Sequence, residues 1–158
     1  MLNLNLPDAA ATRAVGAALA AGAAPGRVLH LSGELGAGKT TLVRGLLQAL
    51  GHAGRIKSPT YTLVEPYEGS SLNLYHFDFY RFDNKSEWLS SGFADYFNPG
   101  SVCIVEWPER AGEALAPPDL RVRLDFDGEA RRASLAPLSA AGQAWLASAR
   151  QRLSPSSS

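Results

Sequence analysis

Gly33-Glu34-Leu35-Gly36-Ala37-Gly38-Lys39-Thr40 is a glycine-spaced turn that ends on a lysine and a hydroxyl, the arrangement GxxxxGK[ST]. Successive main-chain N–H groups can surround a phosphate only where the chain turns tightly with no side chain in the way, and the glycines supply that freedom. Lys39 is placed for β and γ phosphates, Thr40 offers a hydroxyl to a divalent cation, and a following helix would aim its N-terminus at the anion. The chemistry predicted is the binding of a nucleoside triphosphate.

Hydrolysis of such a ligand needs Mg²⁺ and a group that positions the attacking water, so a carboxylate is expected at the end of a second buried strand. Glu106 follows the apolar run Val102-Cys103-Ile104-Val105 and is the first candidate, with a helix-entry or surface glutamate as the alternative. Asp78, set among aromatics in Tyr75-His76-Phe77-Asp78-Phe79-Tyr80-Arg81, is the second. Its alternative is an ion pair with Arg81 or His76 that fixes local structure. Thr60, in Ser58-Pro59-Thr60, lies on the loop after the P-loop helix and can approach the γ-phosphate or metal, or it simply starts a hairpin. His30, His52 and His76 lack metal-ligand spacing and read as structural or surface residues. Asn84-Lys85-Ser86-Glu87 resembles a guanine-reading NKxD motif, but its last residue is Glu and no DxxG switch precedes it, which argues against GTP.

The elements that must position these residues are legible as patterns. Val28-Leu29-His30-Leu31 suits a buried strand into the glycine loop, and Thr41 to Leu50 reads as a helix closed by Gly51. Leu2, Leu4 and Leu6 alternate with asparagines as in a half-buried strand, and Pro7-Asp8 then opens an alanine-rich helix to about Ala21. Tyr61–Val64 and Leu72–Phe77 predict a hairpin, Trp88–Phe97 short helical pieces, and Pro108-Glu109-Arg110 a turn or helix. Arg121–Phe126 and Ala130–Leu135 are joined at Asp127-Gly128, a strong hairpin dipeptide, and Ser139 is expected to cap a last helix, Ala140–Leu153. The fold class expected is α/β: a single P-loop domain over residues 1–153, its mixed parallel and antiparallel sheet flanked by helices, covered on both faces and carrying β-hairpin insertions. Residues 154–158 form a disordered tail.

Composition sets outer limits. At 158 residues the chain is long enough for one core without disulfides, and Cys103, its one cysteine, is read as a buried core thiol. The net charge is zero, so no global basic field argues for sequence-independent nucleic-acid binding. Charge is uneven, however: +4 over residues 1–57, −7 over 58–119 and +3 over 120–158. The acidic middle is either a solvated face or a surface that holds metal and meets a basic partner. No leader pattern or membrane-length apolar run appears, which predicts a soluble cytoplasmic protein with no membrane contact.

Four segments, GELGAGKTT (Gly33–Thr41), SPTYTLV (Ser58–Val64), YHFDFYR (Tyr75–Arg81) and VEWPER (Val105–Arg110), together resemble the bacterial TsaE (YjeE) family from about Leu6 to Leu135. The resemblance implies a P-loop ATPase of tRNA threonylcarbamoyladenosine biosynthesis that uses ATP and Mg²⁺. It also implies partners TsaB and TsaD, with tRNA met only through that complex. By motif position it implies Gly33, Glu34, Leu35, Gly36, Ala37, Gly38, Lys39, Thr40 and Thr41 around the phosphates, and Thr40 and Glu106 for the metal. Asp78, with Glu106 and Lys39, would serve hydrolysis, Thr60 would sit in the switch loop, and Thr12 near the nucleotide. Three functions fit these motifs: an ATPase that resets the TsaB–TsaD assembly, a nucleotide-gated binding module whose ATP occupancy controls docking, and a small kinase. The last needs an acceptor pocket and an arginine-rich lid that the sequence does not offer.

Overall fold

A seven-stranded sheet in the order β1-β7-β6-β2-β5-β4-β3 organises the molecule. The computed structural model describes residues 1–51, 64–67, 73–80, 93–111 and 115–153. The expectations for His52, Ser58-Pro59-Thr60, residues 84–87 and the tail 154–158 lie outside the described residues. In chain order the elements are β1 (Leu2–Leu6), α1 (Ala9–Ala20), β2 (Val28–Gly33), α2 (Lys39–Ala49), β3 (Val64–Tyr67), β4 (Asn73–Asp78), β5 (Ser101–Glu106), β6 (Leu120–Asp127), β7 (Ala130–Pro137) and α3 (Ala140–Leu153). Short 3₁₀ turns occupy Phe93–Tyr96 and Pro108–Arg110.

Four strands, β6, β2, β5 and β4, are mutually parallel. Antiparallel strands finish the sheet on both sides, β3 against β4 at one edge and β7 with β1 at the other. The β6–β7 turn is Gly128-Glu129, with Gly128 at φ 62°, as a two-residue hairpin requires.

One sheet face carries Leu29, Leu31, Leu74, Val102, Ile104, Leu120, Val122 and Leu124 against all three helices. The opposite face carries Val28, Phe77, Phe79, Cys103 and Val105, which pack with Tyr75, Tyr96, Phe97 and Trp107. Among the described residues the helices therefore lie on one face, and 3₁₀ turns and loop residues supply the second layer. On that face β6 exposes Arg121 and Arg123, and the mixed α/β sheet flanked by helices is as expected. Cys103 is buried as expected, and burial pushes its thiol pKa up to about 12.

Local signals set the helix ends. Asp8 Oδ1 accepts the Ala11 N–H at 2.9 Å and caps α1. Ser139 Oγ accepts the Gly142 N–H at 3.0 Å and donates to Asp119 Oδ1 at 2.8 Å, while Asp119 Oδ2 accepts the Val28 N–H at 2.8 Å. One carboxylate thus ties the starts of β2, β6 and α3 together. Trp145, fully buried, donates its indole N–H to the Leu19 carbonyl at 2.8 Å and locks α3 onto α1.

The contact between α1 and α2 matters most for the site. A Cβ on Gly16 would lie 1.9 Å from the Leu42 carbonyl oxygen, and one on Gly45 would lie 2.1 Å from that of Arg13. Only glycine permits this approach, which brings α1 alongside the helix that follows the glycine loop.

Candidate functional site

β2 delivers the chain into the loop at Gly33, and α2 begins at Lys39. Between them Gly36 and Gly38 take φ of 84° and 108°, left-handed values that favour glycine. Gly38 is the N-cap of α2 and brings no side-chain cap, so the first-turn N–H groups of this 11-residue helix face the loop without one. Thr12 of α1, buried, stands 3.5 Å from where a Gly38 Cβ would be.

Lys39 is itself largely buried. Its ammonium donates to the Gly33 carbonyl and, at 3.1 Å, to the Glu34 carbonyl, and it sits 4.2 Å from the ring centre of Trp107. Burial holds its pKa below the ordinary lysine value, while the carboxylates of Glu106, Asp78 and Glu109 pull the other way. The lysine is thus oriented by its own loop and lies in a field of three acids.

Those acids arrive by strand pairing. In the parallel β4–β5 ladder Asp78 stands opposite Glu106, both at the C-terminal ends of their strands, and β2 pairs Leu31 with Glu106 on the other side. Ligand sites in open α/β sheets form at this strand end. Asp78 Oδ1 accepts the Tyr80 N–H at 2.9 Å, which fixes its carboxyl, and the Phe79 N–H donates to the Glu106 carbonyl at 3.1 Å. Glu106 is buried, and its Oε2 lies 2.5 Å from Nε2 of the fully buried His76. Arg81, weighed as a partner of Asp78, lies outside the described residues.

Lys39, Thr40, Thr41, Asp78, Glu106 and Trp107 line one cleft of about 370 Å³, within the usual range for small-molecule sites. Leu35, Gly36 and Gly38 also border it. On the far side of the glycine loop a smaller hollow, about 160 Å³, is walled by Asp8, Thr12, Ala37, Thr41, Glu129 and Arg131. Of the site residues expected from the sequence, all but Thr60 are described, and Thr12, Leu35, Gly36, Ala37, Gly38, Lys39, Thr40, Thr41, Asp78 and Glu106 line these two spaces.

Three contributors escaped the sequence reading. His76 gave no metal-like spacing, and its role depends on a neighbouring strand. Arg131 comes from β7, where its guanidinium lies 4.4 Å from the Phe126 ring centre and reaches the Gly36 carbonyl at 3.5 Å. Trp107 takes the left-handed region, φ 56°, a strained choice for a bulky residue that costs about 1–2 kcal/mol. The turn aims its indole at Lys39 and sets it 5.0 Å from the Tyr80 ring. Its position between Glu106 and Pro108 was the available signal.

The comparisons with known proteins agree with this geometry. The family model described as threonylcarbamoyl adenosine biosynthesis protein TsaE matches residues 6–134. A Haemophilus influenzae protein named tRNA threonylcarbamoyladenosine biosynthesis protein TsaE is 47% identical over 108 residues, which is 68% of each chain. A Bacillus subtilis protein of the same name is 40% identical over 121 residues, 77% of this chain and 75% of its own. The crystal structure of Bacillus subtilis YdiB superposes with a TM-score of 0.80 at 28% identity, covering 95% of this chain and 94% of that one. A P-loop sheet with this strand order, matched over residues 6–134 by that model, places the chain in the TsaE family.

Proposed function

We propose that this chain is the ATP-binding and ATP-hydrolysing component of the machinery that makes tRNA threonylcarbamoyladenosine, acting in the cytoplasm beside TsaB and TsaD and meeting tRNA through them. The names of its relatives supply the pathway. The observation that carries the chemistry is the convergence of Lys39, Thr40, Asp78 and Glu106 on one cleft at the strand ends.

The donor set fits a magnesium nucleotide. Mg²⁺ is commonly held by one or two carboxylates together with substrate phosphates, and the cleft pairs the Thr40 hydroxyl with the Glu106 carboxylate. When bound, the ion would neutralise charge on the phosphate oxygens. The α2 N-terminus and the loop N–H groups hold the phosphates, and Lys39 balances their charge. Asp78, its carboxyl fixed by the Tyr80 N–H, orients the attacking water. The hollow beside Thr12 and Arg131 takes the nucleoside, with Thr41 bordering both spaces. Leu35, 69% exposed on the lip of the loop, gives TsaB or TsaD an apolar foothold next to the phosphates.

ATP turnover measured with TsaB, TsaD and tRNA tests these roles. Lys39→Ala should abolish nucleotide binding, whereas Asp78→Asn and Glu106→Gln should keep binding and lower turnover roughly 10²–10³-fold. Undiminished turnover in all three would remove the assignment. Modification that continues over many cycles with a non-hydrolysable ATP analogue would make the chain a nucleotide-gated docking module instead.

A further inference from the structure

Glu106 needs a defined orientation to serve a cation, and the structure shows what sets it. His76 and Asp78 are two residues apart on β4 and therefore share a sheet face, the face on which Glu106 lies next to Asp78. His76 stands opposite Ile104, one step below Glu106 on that face, and is fully buried there. Its Nε2 meets Glu106 Oε2 at 2.5 Å, and Glu106 is itself only 2% exposed. A carboxylate that holds a cation can only accept, so in that role of Glu106 the ring nitrogen is the donor.

We propose that His76 is the positioning residue of the cation site: its Nε2–H anchors one oxygen of Glu106 and directs the rest of the carboxylate to the cleft shared with Thr40. The inference rests on the assignment of Glu106 to magnesium. Outer hydrogen-bond partners of this kind typically control metal affinity by 10–100-fold, because an unanchored ligand must be ordered each time the ion binds. The donor has to be at the Nε2 position. A glutamine amide at residue 76 reaches the same point, whereas the shorter asparagine does not, although both are polar and uncharged.

Mn²⁺ titrated into the chain with a non-hydrolysable ATP analogue, with free ion followed by electron paramagnetic resonance, tests this directly. His76→Asn should weaken Mn²⁺ binding about 10–100-fold while metal-free nucleotide affinity stays unchanged, and His76→Gln should restore most of the loss. Wild-type Mn²⁺ affinity in His76→Asn, or an equal loss in both variants, overturns the positioning role, provided Glu106→Gln loses Mn²⁺ binding. If Glu106→Gln also binds Mn²⁺ as the wild type does, the magnesium assignment itself fails and His76 falls with it. Nitrogen-15 NMR of the unaltered chain needs no variant to fold. It should show the ring proton of His76 on Nε2 and a shift of that nitrogen when Mg²⁺ joins the nucleotide complex; a proton on Nδ1 alone refutes the proposal.

Discussion

Strands β5 and β6 both run parallel to the P-loop strand, one on each side, yet they are built on different terms. All six residues of β5 are buried, from Ser101 to Glu106, whereas β6 is buried at Leu120, Val122 and Leu124 and exposed at Arg121 and Arg123 between them. A parallel strand covered on both faces reads as an apolar run, and one covered on a single face alternates. The doubly covered strand ends in the buried carboxylate that faces the cleft. The singly covered one ends beside the loop with Phe126, half exposed under the Arg131 guanidinium. Burial on both sides fixes the strand end that carries Glu106. The half-exposed strand instead ends in a partly solvated rim.

The sharpest way to test that difference is to hollow out the doubly covered strand. Ile104→Ala should cost about 2–5 kcal/mol in urea unfolding, the range for a fully buried branched side chain in a core that cannot collapse. A loss below that range would mean that β5 is no more tightly held than β6.

The central strand adds a pH-dependent version. Burial lowers the pKa of His30 on β2 from 6.5 to about 4, while a hydrogen bond to the Ala116 backbone pulls the other way and nearby Arg121 adds a smaller lowering. Between those values the unfolded chain binds a proton that the folded chain refuses. Stability is therefore intact above pH 6.5 and falls as the pH drops towards 4, by about 3 kcal/mol in all. His30→Phe should flatten that acid limb; an unchanged slope would show that the strand centre tolerates charge. The smallest effect belongs to β6. Arg123 pairs with Asp125 at 3.0 Å, but both are exposed, so Arg123→Ala should leave the urea midpoint essentially unchanged.

The sequence was most informative where a single stretch of chain dictates its own backbone. Gly36 and Gly38 announce the loop because their left-handed angles are a local requirement, and the Ser139 cap and the Asp127-Gly128 turn are visible for the same reason. The run Val102–Val105 revealed a buried strand and, by position, Glu106. What sequence did not reveal are meetings between distant segments. The His76–Glu106 contact depends on the β4–β5 register, and Arg131 reaches Gly36 from 95 residues away. Of the first hairpin strand, expected over Tyr61–Val64, residues 61–63 lie outside the described residues, and the described β3, Val64–Tyr67, carries Pro66 inside it, which the sequence did not announce. It lies at the sheet edge, where a missing N–H can face away from the ladder, so proline is tolerated. Edge position is a property of the whole sheet and leaves no local mark.

The pairing of β1 with β7, Leu2 opposite Leu135, has a consequence for how the molecule comes to exist. It joins segments separated by on the order of 130 residues, so its closure entropy is among the largest in the chain. The opening strand must wait for β7 to be synthesised before it finds its place in the sheet. The residues tethered to it, Asp8 and Thr12 of α1, form one wall of the hollow beside the glycine loop. During translation Lys39 at the start of α2 and the strand ends bearing Asp78 and Glu106 are made before β7, so the hollow gains its Arg131 wall only when β7 joins the sheet. On the assignment proposed above, a half-made chain would carry the loop that grips phosphate before the hollow proposed for the nucleoside is complete.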